Sequence, residues 1–238
     1  MNKRDICFLL IFIGAANLVA AQNNGVVIGG KWADQVSITD VNGRPFDNIY
    51  ENVNGSPYFD EKYKFASIKL NQGKERTFVG VKTRIDMVTQ QVHFISSNGV
   101  EGFLFAGMAK EVTYQDTTAE GIIPYKFLTG FPAIDKQTDQ HLYLVLSEGR
   151  CSFLKSVSKK VNERKNELSG EVIKEFETYE DYYFFINGVM KRWKKDKDFI
   201  LSELTGKQKE INQYLLSNKV NFKNADQVAQ LVKYYNSL

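Results

Sequence analysis

The chain is poor in cysteine, proline and histidine, which number 2, 4 and 2 in 238 residues, and each shortage closes off a class of protein. Two cysteines cannot build the disulfide framework of a small secreted module. Four prolines leave no polyproline or collagen-like tract. The two histidines, His93 and His141, lie far apart, without the closely spaced ligand pairs that announce zinc. An excess of one charge is missing too, because 31 Lys and Arg against 28 Asp and Glu give a net charge of +3. Neutralising nucleic-acid phosphates takes a clustered basic excess, so nucleic acid is not an expected partner. What remains, 43% hydrophobic and 25% charged residues, is ordinary globular composition.

The N-terminus departs from that average. Lys3 and Arg4 precede an apolar run over residues 6–16, and Val19-Ala20-Ala21 closes it with small residues. This is the three-part layout of a secretory signal peptide, with cleavage expected after Ala21. The run is too short, and too soon followed by Asn23-Asn24-Gly25, for a membrane span of about 20 residues. Cys7 leaves with the signal and lies outside a lipobox, so the mature chain keeps Cys151 alone. A domain of this length buries roughly 70% of its unfolded surface and folds without staples. The expected location is the periplasm or outer surface of a Gram-negative bacterium, with no transmembrane segment after signal removal.

Residues 22–118 read as a β-rich meander. Residues 65–70 and 76–81 flank Asn71-Gln72-Gly73-Lys74, residues 79–86 and 91–95 flank a short turn, and Ser97-Asn98-Gly99 supplies a further tight turn. Small polar residues at 116–121 predict a linker or long loop. Residues 119–198 read as a hairpin region that continues the sheet or forms a second one. There, 141–146 and 151–157 form a buried hairpin, residues 159–171 a solvated loop or frayed helix, and 181–186 with 189–193 a hairpin about Asn187-Gly188. Over residues 199–238 the period changes to about 3.6, with Val228, Leu231, Val232 and Tyr235 on one helical face. Asn224 is placed to cap that helix, with Gln227 reaching back. The fold class is therefore α+β, an antiparallel meander and hairpin sheet followed by a short C-terminal helical segment.

The stretch Tyr50-Glu51-Asn52-Val53-Asn54-Gly55-Ser56-Pro57-Tyr58, the pair Tyr182-Tyr183 and the ending Val232-Lys233-Tyr234-Tyr235-Asn236 resemble uncharacterised exported proteins of Gram-negative bacteria. The resemblance covers much of the mature chain and implies export. It carries no activity and no catalytic residues.

Familiar chemistries lack their parts. Cys151 follows Arg150 but sits among strand residues without a base, so it reads as a small buried side chain. No Gly-x-Ser-x-Gly elbow surrounds Ser96 or Ser147. Leu204-Thr205-Gly206-Lys207-Gln208 lacks the first glycine and the hydroxyl residue of a P-loop, and Val27-Ile28-Gly29-Gly30 is an incomplete dinucleotide fingerprint. No cofactor is expected. The carboxylates Asp34, Asp40, Asp86, Glu101 and Asp181 are not paired by any local spacing, although glycosidase acids converge in space rather than in sequence.

Two aromatic groupings stand out as ligand-binding candidates. One is Tyr179, Tyr182, Tyr183, Phe184 and Phe185 followed by Lys191, Arg192, Trp193, Lys194 and Lys195, where rings and cations suit sugars, anionic polymers or lipid headgroups. Strand alternation divides these residues between two faces, and a purely structural hairpin is the competing reading. The other is the loop carrying Tyr50, Tyr58 and Tyr63. The candidate contact residues are Tyr182, Tyr183, Lys191, Arg192, Trp193 and Tyr58. The resulting expectation is an exported, non-enzymatic binding protein of the cell envelope, with an envelope protein, glycan or lipid as partner. The alternatives are an envelope hydrolase of saccharide or peptide with paired carboxylates, and a carrier of an apolar ligand.

Overall fold

The computed structural model describes residues 50, 52–71, 76–118, 121–165, 167 and 170–238. The expected signal peptide, the strand expected from Val26 and most of the Asn71–Lys74 turn lie outside them. Among the described residues ten strands form one antiparallel sheet: β1 Lys64–Leu70, β2 Thr77–Asp86, β3 Gln91–Ile95, β4 Glu101–Leu104, β5 Ala109–Thr118, β6 Gly121–Leu128, β7 Tyr143–Ser147, β8 Cys151–Lys165, β9 Val172–Ile186 and β10 Val189–Arg192. Three helices follow, α1 Lys197–Glu203, α2 Gln208–Ser217 and α3 Ala225–Asn236. The arrangement is α+β with a small helical share. None of these helices is long and apolar enough to cross a membrane.

The strand order is β10-β9-β8-β7-β6-β5-β1-β2-β3-β4. Two meanders are thus joined where β5 returns to pair with β1, and the two β-rich regions share a single sheet. The turns follow their residues. Asn187 and Gly188 both take positive φ, at 50° and 78°, as a type I′ hairpin between β9 and β10 requires.

Two expected loops are strands. Of the polar residues at 116–121, 116–118 end β5 and Gly121 begins β6, paired out to Thr118↔Gly121. Residues 159–165 are not a solvated loop or frayed helix but strand, because β8 runs to Lys165 and pairs with β9 as far as Lys165↔Val172, while residues 166, 168 and 169 lie outside the described residues. This outer arm is wet on both faces, so it has no apolar alternation to betray it. Cross-strand pairs hold it instead, among them Glu163–Lys174 at 2.9 Å and Arg164–Glu175 at 3.3 Å.

Three groups of buried side chains sit on the sheet. Ile68, Val81, Ile85, Val92, Phe94, Val112 and Phe127 line the inner face of β1, β2, β3, β5 and β6, joined by Leu142, Leu144 and Val157 from farther along the chain. Phe153, Phe184 and Ile186 meet Ile200, Leu204, Ile211, Val228, Leu231 and Val232 of the helical segment. On the opposite face of β7–β10, Phe131, Tyr143, Leu154, Tyr183 and Met190 form the third. Helices of 7, 10 and 12 residues are marginal alone, so docking on the sheet is what holds them. Asn224 caps α3 by accepting from Gln227 N at 3.0 Å. The Gln227 side chain does not close the expected box. Its oxygen accepts from Asn221 N at 2.6 Å, one turn of chain earlier, where the loop folds back beneath the helix.

Candidate functional site

The register of the first four strands lines up two rows of side chains on the face opposite the first core. Phe65↔Lys82, Lys82↔Ile95 and Ile95↔Glu101 make one row. Arg84↔His93 and His93↔Phe103 make the next. Alternation along β2 enforces this, since Val81, Thr83 and Ile85 point inward and leave Lys82 and Arg84 outward.

Chain entering β1 lies across the second row. Tyr58 and Tyr63 place their rings over the Arg84 guanidinium, with centroids 3.7 Å and 4.5 Å from its central carbon. Glu101 locks the stack. Its Oε1 accepts from Tyr63 OH at 2.6 Å, Arg84 Nη2 at 2.9 Å and His93 Nδ1 at 2.9 Å. The bond from His93, with those from Tyr63 and Arg84, outweighs the cost of burial and lowers the Glu101 carboxyl to about 2. An ionised carboxylate only accepts, so His93 Nδ1 carries the proton in this contact. Burial and the bond to Glu101 raise the Tyr63 phenol well above its ordinary value.

The Tyr58 segment is itself anchored. Met87 N donates to Pro57 O and Phe59 N to Ile85 O, which extends the β2 ladder past Asp86. Lys159 of β8 donates its ammonium to the carbonyls of Ser56 and Tyr58, both at 2.7 Å, and burial lowers its pKa. Asp86 accepts from Tyr50 OH at 2.6 Å and from the amides of Val88 and Thr89 at 2.7 and 3.1 Å. The Tyr–Arg–Tyr stack therefore stands on a rigid base beside an open row in which Phe65 is 67% exposed and Lys82 is exposed.

The residues singled out in the aromatic and basic hairpin are placed on two faces. Tyr183 is fully buried in the third core and donates to Asp135 Oδ2 at 2.9 Å. Trp193 and Tyr182 pack beside Phe153 in the helical core. Lys191 bonds the buried Glu203 at 2.9 Å through both carboxylate oxygens, and Arg192 pairs with Asp181 and Asp135. Tyr58 alone of the six joins the Arg84 cluster. Its partners Arg84, His93 and Glu101 come from three different strands, and only strand register brings them to it.

The remaining candidates have separate roles. His141 shares a 2.8 Å bond with Ser156 Oγ inside the protein, away from His93, and burial lowers its pKa to about 4. Cys151 is fully buried and its thiol is pushed up to about 12 by burial. Asp86 holds a turn, Glu101 the aromatic stack and Asp181 an arginine, while Asp34 and Asp40 lie outside the described residues. The fold and site define an antiparallel sheet protein with C-terminal helices and a braced aromatic–arginine cluster on its outer face. No family model, curated protein or solved structure matches the chain.

Proposed function

We propose that the chain is an exported binding protein of the cell envelope that takes a glycan on the outer face of β1–β4. The observation that carries the reading is the Tyr58–Arg84–Tyr63 stack, fixed by Glu101 beside the exposed Phe65–Lys82 row. Aromatic rings on a rigid sheet offer sugar C–H groups a flat apolar contact, while nearby ionised groups offer hydrogen bonds to hydroxyls. Preorganisation by Glu101 means little side-chain entropy remains to be lost on binding. Export is the expectation drawn from residues 1–21.

The test is co-sedimentation of the purified protein with isolated peptidoglycan sacculi and with insoluble polysaccharides. Phe65→Ala and Lys82→Ala alter exposed side chains and leave the core intact. Their combination is expected to weaken capture about tenfold or more, about 1.4 kcal/mol. Undiminished capture by the double variant, or no capture of any of these polymers by the parent protein, would sink the reading.

A further inference from the structure

Among the described residues, the outer half of β8 is an open sheet edge. Its pairing with β7 ends at Tyr143↔Ser156, while its pairing with β9 continues to Lys165↔Val172. Just past that point the edge is still closed by the turn after β2, since Gln90 Nε2 donates to Val157 O and Lys159 N donates to Met87 O. In an antiparallel ladder alternate residues turn their backbone groups to the same side, so Val161, Glu163 and Lys165 present theirs on this edge. No backbone partner meets them among the described residues. The other edge of the arm is differently treated, because Asn54 bridges Glu175, its N donating to Lys174 O and its O accepting from Phe176 N.

The charges that β8 itself carries along this edge are mostly basic. Lys159, Lys160, Arg164 and Lys165 face a single acid, Glu163. Arg164 and Glu163 are already paired across the arm with Glu175 and Lys174. Lys160 and Lys165 have no carboxylate partner among the described residues, and Lys160 only overlies the Tyr179 ring at 5.0 Å. Val161 is 37% exposed between them.

We propose that β8 takes up an extended acidic segment of a partner protein as an added strand, hydrogen-bonded to Val161, Glu163 and Lys165. Main-chain bonds supply the affinity and the unpaired lysines select an acidic strand. Isolated edges invite such pairing, and the lysines here discourage pairing of β8 with a second β8 by like-charge repulsion. The site is separate from the glycan face and does not depend on it.

The probe is a heptapeptide of alternating glutamate and valine, with its lysine–valine counterpart as control, added to the full chain. Amide hydrogen exchange read by NMR is expected to show protection of Val161, Glu163 and Lys165 by the acidic peptide alone. Lys160→Glu with Lys165→Glu, which leaves the backbone untouched, is expected to weaken binding at least tenfold. Val161→Pro removes an outward N–H and no bond to β9, so it is expected to abolish protection while far-ultraviolet circular dichroism stays unchanged. Absence of protection, equal binding of the lysine peptide, or full binding by the double-glutamate variant overturns the proposal. So does sedimentation showing that the chain alone dimerises through these residues, since a second copy would then fill the edge.

Discussion

His141 illustrates how one residue's surroundings set a condition on the whole fold. Its ring lies 4.7 Å from that of Tyr143, and its Nε2 meets Ser156 Oγ in a dry part of the sheet. Burial lowers its pKa from 6.5 to about 4, so the folded state holds the neutral ring while the unfolded chain takes up a proton first. The stabilisation is complete above pH 6.5 and is lost as pH falls from 6.5 towards 4. Between pH 7 and 4.5 the loss is about 2 kcal/mol by linkage. Urea midpoints at these two pH values are expected to converge in His141→Gln, which is less stable at pH 7 but carries no titrating ring. An equal acid-induced drop in parent and variant would assign the loss elsewhere. Glu101 acts in a lower window, because its depressed carboxyl contributes above 4.5 and loses that contribution as pH falls towards about 2.

At the scale of elements, the end of α3 is tied to the β7–β8 turn by a single amide. Asn236 Oδ1 accepts from Cys151 N at 3.0 Å, and its Nδ2 donates to Cys151 O at 2.7 Å, so the side chain stands in for a missing strand partner at the start of β8. Gly149 makes room for it, because a Cβ there would lie 2.6 Å from Asn236 Cγ and the backbone φ is +153°. Asn236→Ala is expected to cost about 2–3 kcal/mol, since two part-buried backbone groups lose their partner. Thermal melting checks it, and an unchanged melting temperature would remove Asn236 from this role. The helix itself was legible in the 3.6-residue spacing of Val228, Leu231, Val232 and Tyr235, but the Asn236 contact, 85 residues from Cys151, was not. Hairpins were readable where turn chemistry marked them, as at Asn187-Gly188. The β8–β9 arm was not, because Lys159, Lys160, Asn162, Glu163 and Arg164 give a strand without a buried face. The same limit applied to the site. Tyr58 and Tyr63 drew attention as a loop and Glu101 as an unpaired carboxylate, whereas nothing in the sequence tied Arg84 or His93 to them until strand register placed them together.

For the molecule as a whole, the decisive place is the seam between β6 and β7. β6 and β7 share only the pairs Phe127↔Leu144 and Leu128↔Tyr143, too few for the ladder alone to couple the halves. Side chains do the coupling. Leu142, Leu144 and Val157 enter the core of β1–β6, Gln90 bonds both Leu142 N and Val157 O, and Lys159 grips the carbonyls before β1. Two halves joined through a shared core unfold together, whereas halves joined only by a short ladder unfold at separate denaturant concentrations. Phe127 is 1% exposed at the centre of that shared core, and Phe127→Ala is expected to cost about 3–5 kcal/mol. Hydrogen exchange across a urea series reports the two halves separately, through peptides from β2–β3 and from α3. Coupling through the core requires both sets to lose protection at the same midpoint in the parent and to shift down together in the variant. If α3 kept the parent midpoint while β2–β3 fell, the outer face of β1–β4 and the helical half would be independent units. Binding at one could then not stabilise the other. If they shift together, a ligand on the outer face of β1–β4 stabilises α3 against unfolding as much as β2–β3, by RT ln(1 + [L]/Kd).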